Sequence, residues 1–170
     1  MVVILAIVFG ALFYSFVRPA SSTIERDKIT SAALAQAKDA LIGYAAKHAT
    51  RPGALPCPDI FNTGNDPGLS GNNCQSYIGR LPWKSLGLTD IRDGSGERLW
   101  YALSPNFRNL NPPTGPILNS DTAVQLGIDG GASSAIAIVL APGPVVNAQD
   151  RNLTDPVKYN NPANYLDGGN

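Results

Sequence analysis

Met1 to Val17 reads MVVILAIVFGALFYSFV, an apolar run that only Gly10, Tyr14 and Ser15 interrupt. At the α-helical rise these residues span roughly 25 Å, the short end of what crosses a hydrocarbon core of about 30 Å. A signal peptide would need a basic leading region and a small-x-small cleavage site, and Arg18-Pro19-Ala20-Ser21 is a poor one. A helix apolar on every face is equally out of place as the core of a domain this small. The run is therefore read as a membrane-inserted helix, with Val3, Leu5, Ile7, Phe9, Leu12, Phe13 and Phe16 as its lipid-contacting side chains.

From Ser22 to Ala49 the pattern becomes amphipathic and Ala-rich, with no Pro and one Gly. Leu34, Ala37, Leu41, Ala45 and His48 recur at three- and four-residue steps, with Ile42 and Ala46 alongside, while Glu25, Lys28, Gln36 and Asp39 fall mostly elsewhere. This predicts a helix with one apolar flank, ending before Arg51-Pro52-Gly53 because Pro disfavours helical geometry in the residue before it. Pro19 stands at the junction with the apolar run. Two readings stay open there: two helices with a break, or one long helix bent at Pro19. The small Ala side chains would let the rear half lie flat against a sheet.

After Leu55 the sequence breaks into short apolar runs between turn clusters. Thr89–Ile91, then Arg92-Asp-Gly-Ser-Gly96, then Glu97–Leu103 reads as strand, turn, strand, since Asp-Gly favours tight turns. Thr122–Ile128, Asp129-Gly-Gly131 and Ser134–Leu140 repeat the design. The last run is unbroken and apolar, so it predicts a central strand buried on both faces. Leu110–Pro116 holds three Pro and is a loop. Gln149–Asn170 is polar and Asn-rich, predicting a loop with a short helical turn at Pro162–Leu166. The fold class is thus α+β: a long N-terminal helix on an antiparallel sheet. The parts are an apolar segment over 1–17, an amphipathic helix over 18–50 and a turn-rich β domain over 51–170.

Composition narrows the function. The 13 basic and 13 acidic residues all lie at or after Arg18, and charged residues make up 15% of the chain, against roughly 25% in an average soluble domain. No polybasic surface for nucleic acid emerges. Seventeen Gly, 14 Pro and 14 Asn are too many turn-formers for a helical bundle.

Cys57 and Cys74 enclose a 16-residue polar loop that little else would hold together. A bridge closing such a loop contributes about 3 kcal/mol in the chain-entropy model, and behind a membrane segment a disulfide places the domain outside the cytoplasm. Arg18, Arg26 and Lys28 follow the apolar run, and the positive-inside rule applied to that flank alone would argue the opposite side; the cysteines and the turn-rich composition decide for the exterior. Asp59, Asn62, Asn65 and Asp66 are hard oxygen donors among glycines in the same loop, which makes calcium its candidate cofactor. Their spacing does not follow the calcium-loop pattern, and solvated turns of this composition are commoner.

Catalytic patterns are absent. His48 is the one His, and there is no Gly-x-Ser-x-Gly, phosphate loop or dinucleotide fingerprint. His48 is read as a helix C-terminal residue set against the dipole. Trp83, Trp100 and Tyr101 could form a carbohydrate platform, but beside Leu at strand positions they are read as core.

Several phrases go further: Ala37-Lys-Asp-Ala-Leu-Ile-Gly-Tyr44, Arg51-Pro-Gly-Ala-Leu-Pro-Cys-Pro-Asp59, Gly79-Arg-Leu-Pro-Trp-Lys-Ser-Leu-Gly87, Arg92–Leu103, Ile138-Val-Leu-Ala-Pro-Gly143 and Asn164-Tyr-Leu-Asp-Gly168. Together with the helix-then-sheet plan they resemble a group of proteobacterial pilin-like proteins, related to the type IV pilins and type II secretion pseudopilins. The resemblance covers nearly the whole chain. It implies a single-pass inner-membrane protein of a Gram-negative bacterium, its globular part periplasmic or displayed on a filament. The implied partners are other pilin-like subunits, an inner-membrane assembly platform and the lipid bilayer, and the side chains from Val3 to Phe16 named above would also line a filament core. Neither a prepilin leader with its Gly nor the Glu usual a few residues into the mature helix stands in 1–17, so residues upstream of Met1 are expected. The alternative is a single-pass periplasmic module that binds calcium or glycan and does not polymerise.

Overall fold

The computed structural model describes residues 2–60, 67–71, 73–109, 115–131, 133–152 and 154–166, with side chains from residue 22 onward except those of 129, 133 and 156. Helix α1, Val2–Lys47, is continuous through Pro19, which decides for one helix over two. Among the described residues no helix is long and apolar enough to cross a membrane; the side chains of the apolar run, Val3 to Phe16 included, lie outside that description.

Strands β1 (Ile78–Arg80), β2 (Trp100–Leu103) and β5 (Ala137–Leu140) form an antiparallel sheet in the order β1-β2-β5, and β3 (Leu126–Ile128) pairs with β4 (Ser133–Ala135) in a separate hairpin. The turn of that hairpin, Asp129–Gly131, is where the sequence placed it, with Gly130 and Gly131 at φ 68° and 94°. A short helix α2 (Pro156–Tyr159) and a 3-10 turn, Pro162–Asn164, end the described chain.

The ladder is regular. Leu81 N donates to Leu99 O and Leu103 N to Tyr77 O, whereas Ser104 N donates to Ile136 O. Odd residues of β2 therefore bond to β1 and even ones to β5, the alternation an antiparallel central strand requires. All four residues of β2 are buried, while those of β5 are only half-buried at the sheet edge. The central strand is thus β2, and the expectation of a central Ser134–Leu140 is corrected: apolar continuity there reflects packing on the helix from an edge, with the chain already turned at Ile136 between β4 and β5. Thr89–Ile91 is likewise no strand; the predicted hairpin survives as one bridge between Arg92 and Arg98.

Helix α1 lies on one face of the sheet. Ala33, Ala37 and Leu41 are buried against Leu55, Leu81, Leu99, Tyr101, Leu103 and Phe107. The buried helical residues nearest the sheet are mostly Ala, which lets the backbones approach. Ile42 and Ala46, expected on the apolar flank, are exposed, so the docking stripe is narrower than the pattern suggested and starts at Ala33. N-terminal to Thr30, the described helix side chains stand in solvent.

The turn at Asp93 joins helix to sheet. Asp93 Oδ1 accepts from Ser95 N (2.8 Å) and Glu97 N (2.9 Å), and Oδ2 from Gly143 N (2.8 Å), so a buried carboxylate organises the turn and ties down the exit of β5. Gly94 N donates to Thr30 Oγ1 at 2.9 Å, and any Cβ on Gly94 would strike the α1 backbone at Arg26. Gly is required there by contact with the helix, without a positive φ.

Candidate functional site

Three features bear on function: the disulfide loop, the second face of the sheet, and the groove between α1 and β5. Cys57 and Cys74 are bonded, with Cα atoms 5.0 Å apart, as expected. Cys57 is buried and Cys74 packs against the helix-side core. Of the candidate calcium donors, Asn62, Asn65 and Asp66 lie outside the described residues. Asp59 is buried; its Oδ2 accepts from Gly68 N at 2.7 Å, and its backbone exchanges hydrogen bonds with Arg80 at 2.9 and 2.7 Å. Asp59 thus closes the loop over the outer edge of β1. Among the described residues no group of three or more His, Cys, Asp or Glu converges as a metal site would need.

His48 stands at the C-terminal end of α1, as expected. Arg51 N donates to His48 Nδ1 at 3.1 Å, so Nε2 carries the ring proton and donates to Asn109 Oδ1 at 2.8 Å. The ring thereby accepts from the turn that follows α1 and ties it to the loop at Asn109. Arg51 beside it donates to the carbonyls of Asn106, Arg108 and Pro116. Burial, then the nearby Arg108 guanidinium, lower its pKa. It clamps the loops that close this end of the sheet.

The second sheet face was not foreseen. Arg80, at 2% exposure, is held between three rings, its guanidinium carbon 3.9 Å from the Tyr165 centroid and 4.5 Å from those of Trp100 and Tyr159. Its Nη groups donate to Arg98 O and Tyr159 O at 3.3 and 3.1 Å, and burial lowers its pKa. A desolvated guanidinium stacked on aromatics gains about 2 kcal/mol or more per favourable contact, which explains how the polar C-terminal segment is held. Arg151 stacks on Tyr165 from 4.7 Å and pairs with Glu97 at 3.2 Å. The short helical turn expected at Pro162–Leu166 is present as the 3-10 turn Pro162–Asn164, and these ring contacts anchor the polar segment around it. The signal was present as Tyr159 and Tyr165, but nothing local in the sequence named their partner.

Trp100 and Tyr101 are core, on opposite faces of β2. Trp83 is half-buried, packed over Gly68 with Lys84 Nζ 5.1 Å from its ring. Burial raises the Tyr101 hydroxyl far above its usual range, and among the described residues its oxygen has no hydrogen-bond partner. Arg98 makes a two-point contact with Asp90 at 2.9 and 2.9 Å, and Arg92 adds a third bond at 2.8 Å. Burial pushes Asp90 up, but these bonds together outweigh it and hold the carboxyl below its usual value. None of these groups pairs a nucleophile with a base.

The groove between α1 and the sheet is about 880 Å³, bordered by Leu34, Leu41 and Ile42 on the helix and by Ile136 to Val139 on the sheet. Its lining is largely apolar.

No family model, no curated protein and no solved structure matches this chain.

Proposed function

We propose that the chain is a membrane-anchored, pilin-like subunit, a minor pilin or pseudopilin, of a type IV filament or type II secretion apparatus. The observation that carries the reading is one unbroken helix, Val2–Lys47, whose rear docks on an antiparallel sheet through Ala33, Ala37 and Leu41 while its front is the apolar, uncharged run. Such a helix has two environments that satisfy it: lipid before assembly, and a bundle of like helices afterwards. The Cys57–Cys74 disulfide supports an inner-membrane protein whose domain faces the periplasm or exterior. No active site is needed for this work, and the loops would set what the surface meets.

The test is crosslinking through single cysteines introduced from Val2 to Tyr14 in the membrane-borne chain. Helix-to-helix ladders are expected. A chain that stays monomeric at every position would overturn the reading, and calcium-dependent thermal stabilisation of that monomer would put a non-polymerising binding module in its place.

A further inference from the structure

Most guanidiniums packed into the β domain have their charge answered. Arg98 takes both oxygens of Asp90 through Nε and Nη2 at 2.9 and 2.9 Å, Arg151 pairs with Glu97 at 3.2 Å, and Arg80 lies between three rings. Arg51 and Arg108 are the exception. Burial, then Arg108, lower the Arg51 pKa, so the two cations stand in each other's field. Among the described residues neither is paired with a carboxylate. Both border a pocket of about 410 Å³, with Pro116, Asn119, Asp121 and Thr122 on its other side.

The two cations differ in what they have left to donate. Arg51 is buried and commits Nε, Nη1 and Nη2 to the carbonyls of Pro116, Arg108 and Asn106. It fixes the walls and supplies charge. Arg108 is half-buried, and its side chain makes one bond, from Nη1 to Pro105 O at 2.9 Å. Its Nε and Nη2 have no partner among the described residues. These are the same two donors with which Arg98 grips Asp90, a fork that matches the two oxygens of a carboxylate. The opposite wall is polar and set in place. Thr122 N donates to Asn119 O at 3.1 Å, and Asn119 Oδ1 accepts from Asp121 N at 3.0 Å and Thr122 Oγ1 at 3.2 Å. Asn119 keeps its amide NH₂ as a donor, and the Asp121 carboxylate accepts only from Ser120 Oγ, at 3.5 Å.

We infer that this pocket binds a small hydroxylated carboxylate: the Arg108 fork takes its two oxygens, and Asn119 and Asp121 take its hydroxyls. Two cations against one carboxylate leave the pocket positive. Its volume lies in the range of small-molecule sites, roughly 300–1,000 Å³, and leaves room for a sugar-sized body beyond the carboxylate. A bare oxyanion such as sulfate would meet the fork but set a negative charge near Asp121, whereas hydroxyls offer that carboxylate donors. The inference does not depend on the filament reading, since it needs neither the apolar front of α1 nor assembly.

Titration of the full chain in detergent micelles with glucuronate tests it, read by calorimetry and by the Nε–H resonance of Arg108. Saturable binding that moves this resonance is expected. Glucose, which lacks the carboxylate, and sulfate, which lacks the hydroxyls, should each bind about tenfold more weakly or worse. Arg108→Gln should weaken glucuronate by about tenfold or more, since a charged two-point contact is lost. Arg108→Lys keeps the charge without the fork and should lose nearly as much. The Arg108 side chain holds only Pro105 O, so both variants should keep the wild-type thermal midpoint. Absence of saturable binding, glucuronate affinity that survives Arg108→Gln, or sulfate or glucose binding as tightly as glucuronate overturns the inference; the comparison of the three ligands needs no variant to fold.

Discussion

The two faces of β2 are built on opposite plans. Toward α1, Leu99, Tyr101 and Leu103 meet Ala33, Ala37 and Leu41, an aliphatic surface whose fit depends on small helical residues. Toward the C-terminal segment, Trp100 joins Tyr159 and Tyr165 around the Arg80 guanidinium. The first face is held by burial of apolar area, which is non-directional. The second is held by one cation and its rings, which are directional and few. A periodic surface tolerates small changes spread over many contacts; a caged cation concentrates its stabilisation in one residue.

The largest expected effect is on the caged face. Arg80→Ala removes the stacking, leaves a cavity and frees two carbonyls, which should cost about 2–4 kcal/mol. Limited proteolysis should then cut between residues 150 and 166 before it cuts elsewhere. Arg80→Met, which fills the space without a charge to desolvate, should recover part of that loss. If both variants unfold like wild type in urea, the cage is not what holds the segment.

Next comes Gly94→Ala. A methyl group there meets the α1 backbone, so the turn must lift from Thr30; roughly 1–3 kcal/mol of destabilisation is expected, read from the denaturation midpoint. Because this change acts on the helix face, its effect should add to that of Arg80→Met within about 0.5 kcal/mol. Strong non-additivity would mean that the two faces communicate through β2.

Tyr101→Phe should go the other way. It deletes a buried hydroxyl that has no partner among the described residues, and a gain of about 1 kcal/mol is expected in the same assay. A loss would reveal a hydrogen bond that Tyr101 makes in solution.

The smallest effect is in acid. Asp90 has a depressed folded pKa, so its contribution is present above the unfolded value, about 3.9, and is lost as pH falls below it through the folded value. The pair is partly solvated, so the loss should stay under about 1 kcal/mol. Arg98 also donates to Tyr159 Oη at 3.3 Å; the aromatic face should loosen first, seen as a change in Trp100 emission as pH falls below about 4. Unchanged emission in Asp90→Asn at neutral pH would sever that link.

What the sequence made legible was what local physics decides. The Ala-rich stripe placed the helix on the sheet, Arg51-Pro52 marked its end, and Gly130-Gly131 marked a tight turn. The Cys57–Cys74 loop declared its closure through the lack of any other support. The sheet order was not legible, because Ala137–Leu140 is as apolar as a central strand while Trp100–Leu103 becomes central only when the chain's last part returns to cover it. Nothing in the sequence around Arg80 marks it as a buried cation. Its cage is assembled from residues some 20 to 85 positions away, and periodicity carries no information over such distances. The partner of His48 was hidden for a similar reason: Asn109 lies 61 residues on.

The seat of Gly94 on α1 has a mechanical meaning. A helix advances 1.5 Å and turns 100° per residue, so a slip of one position would rotate Ala33 and Ala37 out of the contact and bring bulkier neighbours in. The hydrogen bond from Gly94 to Thr30 acts as a notch at the upper end of that stripe. Helix and sheet thereby share a single axial setting.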